Sequence, residues 1–176
     1  GVLELTGVPT AMLTLPVVAR LALDSWTLEA WVRPTAAVDS TIISRTVGAI
    51  NFTLGIDEDG GNLLPYVTFT PSDGTAAIML KANAVDAIAQ GQWTHLAASF
   101  NPAFDRLNLY IDGTKEYIVS TLKECATNGA GPALTTVGQA FVGQIDEVRI
   151  WSTPRSRANV AGTMNALMTG NEFALV

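Results

Sequence analysis

Apolar and polar residues alternate along most of this chain, and Asp-Gly pairs break the alternation at intervals. In Leu107-Asn108-Leu109-Tyr110-Ile111 every second residue is aliphatic, as a strand with one buried face requires. The run stops at Asp112-Gly113, and a second β-like run follows over residues 114–121. Asp-Gly between two such runs marks a hairpin, because a type I′ turn needs positive φ at both central residues. The same punctuation stands at Asp59-Gly60 and Asp73-Gly74, between runs at 51–57, 64–70 and 75–81. Further β-like runs cover 2–5, 12–15, 25–33, 41–45, 92–100, 134–137 and 144–151. The run at 25–33 is apolar on both faces around Glu29, and Pro34 stops it. About a dozen strands with no helix between them predict an all-β antiparallel sandwich or barrel.

One helix is expected, late in the chain. Thr153-Pro154 supplies an N-cap and a first-turn proline. Val160, Met164, Leu167 and Met168 then fall on one helical face, and Gly170 stands where a C-terminal cap belongs. The spacing predicts a helix over 154–168 that packs on the sandwich. No linker or internal repeat interrupts the pattern, so residues 1–176 read as a single domain. The chain opens on Gly1 rather than Met and reads as a piece excised from a larger protein.

Composition narrows the function classes. Hydrophobic residues make up 48% and charged residues 15%, too apolar for a disordered chain. The net charge of −6, with basic residues scattered apart from Arg155 and Arg157, argues against nucleic acid. No apolar run approaches the roughly 18 residues that a membrane-spanning helix needs. A single Cys125 excludes an internal disulfide, and one Cys with one His excludes a standard Cys/His zinc site.

Catalytic constellations are expected to be absent. His95 sits in mid-strand among apolar neighbours and reads as a structural histidine. Cys125 has no second histidine to activate it. Asp57-Glu58-Asp59 carries acids at i and i+2, but Gly60-Gly61-Asn62 follows and makes it a solvated hairpin end, not a facing acid pair. The trio also fails as an EF-hand loop, with Asn62 at the glycine position and Thr68 at the bidentate glutamate position. Asn51-Phe52-Thr53 matches a glycosylation sequon but lies inside a strand. Asp146 shares its alternation phase with Val148 and Ile150. If that phase faces the core, the carboxylate must be satisfied there. Two readings stand: an acceptor of backbone N–H groups at a strand entrance, or a ligand to one structural Ca²⁺ at the rim, helped by backbone carbonyls.

The chain resembles the laminin-G-like jelly-roll domains of the concanavalin A-like lectin/glucanase superfamily. Four segments carry the resemblance in order: Trp26-Thr27-Leu28-Glu29-Ala30-Trp31-Val32-Arg33-Pro34; Gln92-Trp93-Thr94-His95-Leu96-Ala97; Leu107 to Gly113; and Phe141-x-Gly143-x-Ile145-Asp146-Glu147-Val148-Arg149-Ile150-Trp151. The resemblance implies two antiparallel sheets packed as a jelly roll, a short C-terminal helix and one further short strand at 173–176. It implies a non-catalytic fold in most members, and a calcium ligand at the position of Asp146. Residues 126–142 contain no acid, so a two-calcium ligand site is not implied, and no Glu-x-Asp-x-Glu strand suggests hydrolysis.

The expected function is a non-catalytic binding or adhesion module for a glycan or a protein surface, part of a larger secreted or surface protein. The alternative is a packing or spacer domain with no ligand of its own; a glycoside hydrolase is the minor one. Ligand residues are not legible. Tyr66, Phe69, Phe104, Tyr110 and Tyr117 are the aromatics on which a sugar could stack.

Overall fold

The structure is a computed structural model that describes residues 1–8, 11–127 and 133–176. Its strands are β1 (Leu3–Thr6), β2 (Leu13–Leu15), β3 (Trp26–Pro34), β4 (Ser40–Val47), β5 (Ala49–Asp59), β6 (Asn62–Phe69), β7 (Ile78–Lys81), β8 (Thr94–Asn101), β9 (Arg106–Ile111), β10 (Lys115–Ser120), β11 (Leu134–Gln139) and β12 (Val142–Trp151), followed by the helix α1 (Arg157–Thr163). They form two six-stranded sheets, in the orders β1-β12-β3-β8-β9-β10 and β2-β11-β4-β5-β6-β7. Every neighbouring pair is antiparallel. The chain is the two-sheet jelly-roll sandwich that its alternation predicts.

Alternate residues of β3 build the core. Trp26, Leu28, Ala30 and Val32 are fully buried against Phe52, Leu54 and Ile56 of β5. Trp26 lies 5.8 Å from Phe52 and 5.9 Å from Phe100, and Phe69 lies 4.6 Å from Phe100, centroid to centroid. Each such side chain removed from water stabilises the fold by roughly 1.5–3 kcal/mol.

The turns follow local chemistry, with corrections. Asp112 (φ 51°) and Gly113 (φ 64°) form the β9–β10 turn, closed by Thr114 N–H on Ile111 O at 3.1 Å. The β5–β6 turn is centred one residue later than Asp59-Gly60 suggests: Asp59 pairs with Asn62 across Gly60 and Gly61, both at positive φ. Asp73-Gly74 does lie between paired strands, since Phe69 of β6 pairs with Ile78 of β7, but inside the connection 70–77 and not in a tight two-residue turn. The Asp73 carboxylate accepts the Thr75 N–H and hydroxyl, a local turn that competes with strand pairing, and β7 starts only at Ile78.

The helix is shorter than the apolar stripe suggests. Ser156 caps it, not Thr153: its hydroxyl accepts the Asn159 N–H. Of the stripe only Val160 is fully buried, against Ala97 and Tyr110, and Leu167 is 88% exposed. Arg149 donates to the carbonyls of Thr163 and Ala166, at 3.0 and 2.7 Å. The Thr163 carbonyl is one that a longer helix would bond internally. Seven residues are too few to be helical alone, so α1 extends only as far as the sheet holds it. The chain then returns beside β12, where Leu175 bridges to Trp151 and the N–H of Val176 donates to Ile150 O at 2.8 Å.

Candidate functional site

The outer face of the first sheet is covered by α1 and the residues around it. This explains why β3 and β8 are apolar or buried on both faces. Beneath that cover lies a charge cluster. Glu29 is fully buried, with Arg155 Nε at 3.2 Å, His95 Nε2 at 3.5 Å and Arg149 Nη1 at 3.8 Å. Arg155 also lies 4.0 Å over the Trp151 ring, and the Trp31 and His95 rings meet at 5.3 Å. Trp31 Nε1–H donates to Met164 O. His95 is thus a buried structural residue, 1% exposed and facing a glutamate. Cys125 is buried too: removal from water pushes its thiol up to about 11, and its sulfur contacts Leu23 O and Asn51 Nδ2.

Asp146 is not where its phase in the sequence puts it. Asp146 pairs with Trp31 but Arg149 with Glu29, so β12 spends three steps where β3 spends two. This β-bulge includes Glu147 at φ 49°, and it reverses the alternation. Ile150 pairs with Leu28 on the core face, whereas Asp146 pairs with Trp31 on the opposite one. The Asp146 carboxylate is 30% exposed; it accepts the Glu147 N–H at 2.9 Å and lies 3.9 Å from the N-terminal ammonium. The Glu147 N–H is a donor of the kind that the first of the two readings calls for. Among the described residues no three His, Cys, Asp or Glu side chains group as metal ligands.

The five aromatics are not a row. Phe69 is core and Tyr110 is 1% exposed. Tyr117 donates to Asp86 at 2.5 Å. Phe104 is 69% exposed, on the turn before β9. Tyr66 is half-buried on the outer face of the second sheet.

That outer face holds the candidate site. Across five strands one row reads Gln139, Thr41, Gly55, Tyr66 and Lys81, each opposite the next. The next row is a line of hydroxyls: Thr14, Thr136, Ser44, Thr53 and Thr68. Gly55 is required by close approach. A Cβ there would stand 2.6 Å from Cε1 and Cζ of Tyr66 and from Ser40 O, so the tyrosine ring lies on the glycine backbone. Asp39, Thr41, Asp57, Met79 and Gln139 surround the ring in an open depression of about 320 Å³. Burial pushes the Tyr66 hydroxyl up, and the charges of Asp57 and Asp39 add to this against a hydrogen bond with Thr41. Asp57 is paired with Lys81 at 2.8 Å, and Asp39 accepts the Glu58 N–H at 2.7 Å.

Sequence reasoning placed Tyr66 among five aromatics and Asp57 in a solvated turn; it gave no role to Asp39, Thr41 or Gln139. One signal pointed here, a lone glycine inside a strand, which marks close approach of another group.

A laminin-G family model, described as the concanavalin A-like lectin/glucanases superfamily, matches residues 7–161, and the chain belongs to that superfamily. No curated protein matches the chain by sequence. Among solved structures it is similar to domain 4 of an extracellular GH43 arabinanase from Geobacillus stearothermophilus in complex with arabinotriose: TM-score 0.67, 21% identity, 90% of this chain and 74% of that one. It is similar to the CBM40 of a Ruminococcus gnavus sialidase bound to α2,3-sialyllactose: TM-score 0.65, 16% identity, 80% of this chain and 82% of that one. It is similar as well to a candidate carbohydrate-binding protein from Bacteroides ovatus, at TM-score 0.66, 19% identity and 87% of this chain. The chain spans only 44% of the Bacteroides protein. At these identities the likeness is one of fold.

Proposed function

We propose that this domain is a non-catalytic glycan-binding module of a secreted or cell-surface protein, and that it binds sugar on the outer face of the second sheet, over Tyr66. The observation that carries this is the Tyr66 ring seated on Gly55 amid Asp39, Thr41, Asp57 and Gln139. A ring held flat offers an apolar surface to the C–H face of a sugar, while carboxylate, amide and hydroxyl groups take its hydroxyls. Sites of this kind need a mostly preformed concavity with a few convergent polar groups. The solved relatives in complex with arabinotriose and sialyllactose support the reading. Hydrolysis would need a general acid facing a second carboxylate. Here Asp57 is held by Lys81 and Asp39 by a backbone N–H, and the only histidine is buried under α1.

The test is a glycan array with the parent domain and Tyr66→Ala. Binding by the parent that falls at least tenfold in the variant, with the bound oligosaccharide recovered uncleaved, is the expected result. Retention of full binding by the variant would overturn the site.

A packing role has one observation in its favour. An apolar cleft of about 380 Å³ opens between the sheet edges at β1 and β2, lined by Leu3, Leu15, Val137, Ile150 and Val176. That role would show as domain association with no glycan bound.

A further inference from the structure

We infer that the Tyr66 site selects uncharged glycans and rejects carboxylated ones such as sialylated or uronic-acid chains. The inference rests on the glycan-binding reading and adds the class of ligand. Among the described residues the depression is lined by two carboxylates, Asp39 and Asp57, and by no lysine, arginine or histidine. Lys81 of β7, opposite Tyr66, is already committed: its Nζ lies 2.8 Å from Asp57 and 3.9 Å from Asp59. Both carboxylates act on the Tyr66 hydroxyl, whose proton they help to retain, so their field reaches the ring where the sugar would stack. A carboxylated sugar placed there finds like charge and no bidentate partner, whereas a neutral sugar finds two acceptors for its hydroxyls. Recognition of an acidic glycan normally calls for arginine or lysine aimed at the acid. The whole chain adds to the effect with a net charge of −6.

The experiment compares two oligosaccharides of the same length and linkage that differ only in C6: a hydroxymethyl in one, a carboxylate in the other. Their affinities for the parent, Tyr66→Ala, and the double variant Asp39→Asn/Asp57→Asn are measured by calorimetry at low and high salt. The neutral sugar is expected to bind the parent about tenfold more tightly at low salt, the order for unit charges a few ångströms apart at a half-solvated surface. The ratio should shrink as salt screens the charges, and it should fall to one or below in the double variant, where Lys81 loses its Asp57 partner. Equal or tighter binding of the acidic sugar by the parent, lost in Tyr66→Ala, would overturn the inference and leave the glycan reading intact. A ratio that does not move in the double variant would also overturn it. Binding of neither sugar class, on this pair or on an array, would overturn the glycan reading itself.

Discussion

Replacing Glu29 with glutamine tests how the outer face of the first sheet is held. The carboxylate is fully buried, with Arg155, His95 and Arg149 between 3.2 and 3.8 Å away. The two arginines reach from it to the end of α1: Arg149 to the carbonyls of Thr163 and Ala166, Arg155 to Asn159 O and the Thr163 hydroxyl. Glu29 is thus the anion that fixes the guanidinium groups on which a seven-residue helix depends. Glutamine keeps the volume and removes the charge, leaving basic groups buried without it. Breaking a buried ion pair from one side costs about 3–5 kcal/mol. Arg149 keeps Glu147 at 2.8 Å, and Arg155 keeps the Trp151 face, so the lower end applies. At about 2–4 °C per kcal/mol for a chain of this size, the melting temperature should fall by about 6–12 °C, read by near-ultraviolet circular dichroism. Trypsin cleavage after Arg157, which is 53% exposed, should accelerate as the segment opens more often. A melting temperature within about 2 °C of the parent, with unchanged proteolysis, would refute the assignment of Glu29 as the anchor, since a loss that small is under about 1 kcal/mol.

Other outcomes follow from single contacts. Gly55→Ala should both lower stability, by about 1–3 kcal/mol from overpacking, and abolish glycan binding, because its Cβ meets Ser40 O and the Tyr66 ring at 2.6 Å; denaturant unfolding and the array check the two effects separately. Acid stability should depend on Asp73 and Glu172, both held down at about 2, the first mainly by Lys123 and the second by the Thr169 N–H. Their folded values are depressed, so their contribution is present above the ordinary carboxylate range and lost as pH falls toward 2; Asp73→Asn/Glu172→Gln should flatten the pH dependence of the melting temperature in that window. If Asp146 ligates a structural Ca²⁺, excess calcium should raise the melting temperature above that in EDTA and Asp146→Asn should remove the rise; coincident melting curves would leave the Glu147 N–H as its partner.

The sequence alone determined the sandwich. Period-2 alternation puts every second side chain on one face, and a chain of a dozen such runs must bury those faces against each other. Local chemistry also set the Asp112-Gly113 turn, because positive φ is a property of the residues themselves. Tertiary structure decided the rest. The bulge at 146–149 moved Asp146 off the phase of Ile150, and nothing local announces an extra residue that only the register with β3 reveals. The helix ended at Thr163, where Arg149, brought in from β12, donates to the last helical carbonyl. Glu29 and His95 became a pair because Trp31 and Glu29 lie opposite His95 and Ala97 in the sheet. The candidate site assembles from β4 and the residue before it, β5, β6, β7 and β11, so its residues are scattered from Asp39 to Gln139 along the chain. Only cross-strand register, which depends on pairing between distant segments, could lay Tyr66 on Gly55 and gather two carboxylates around it.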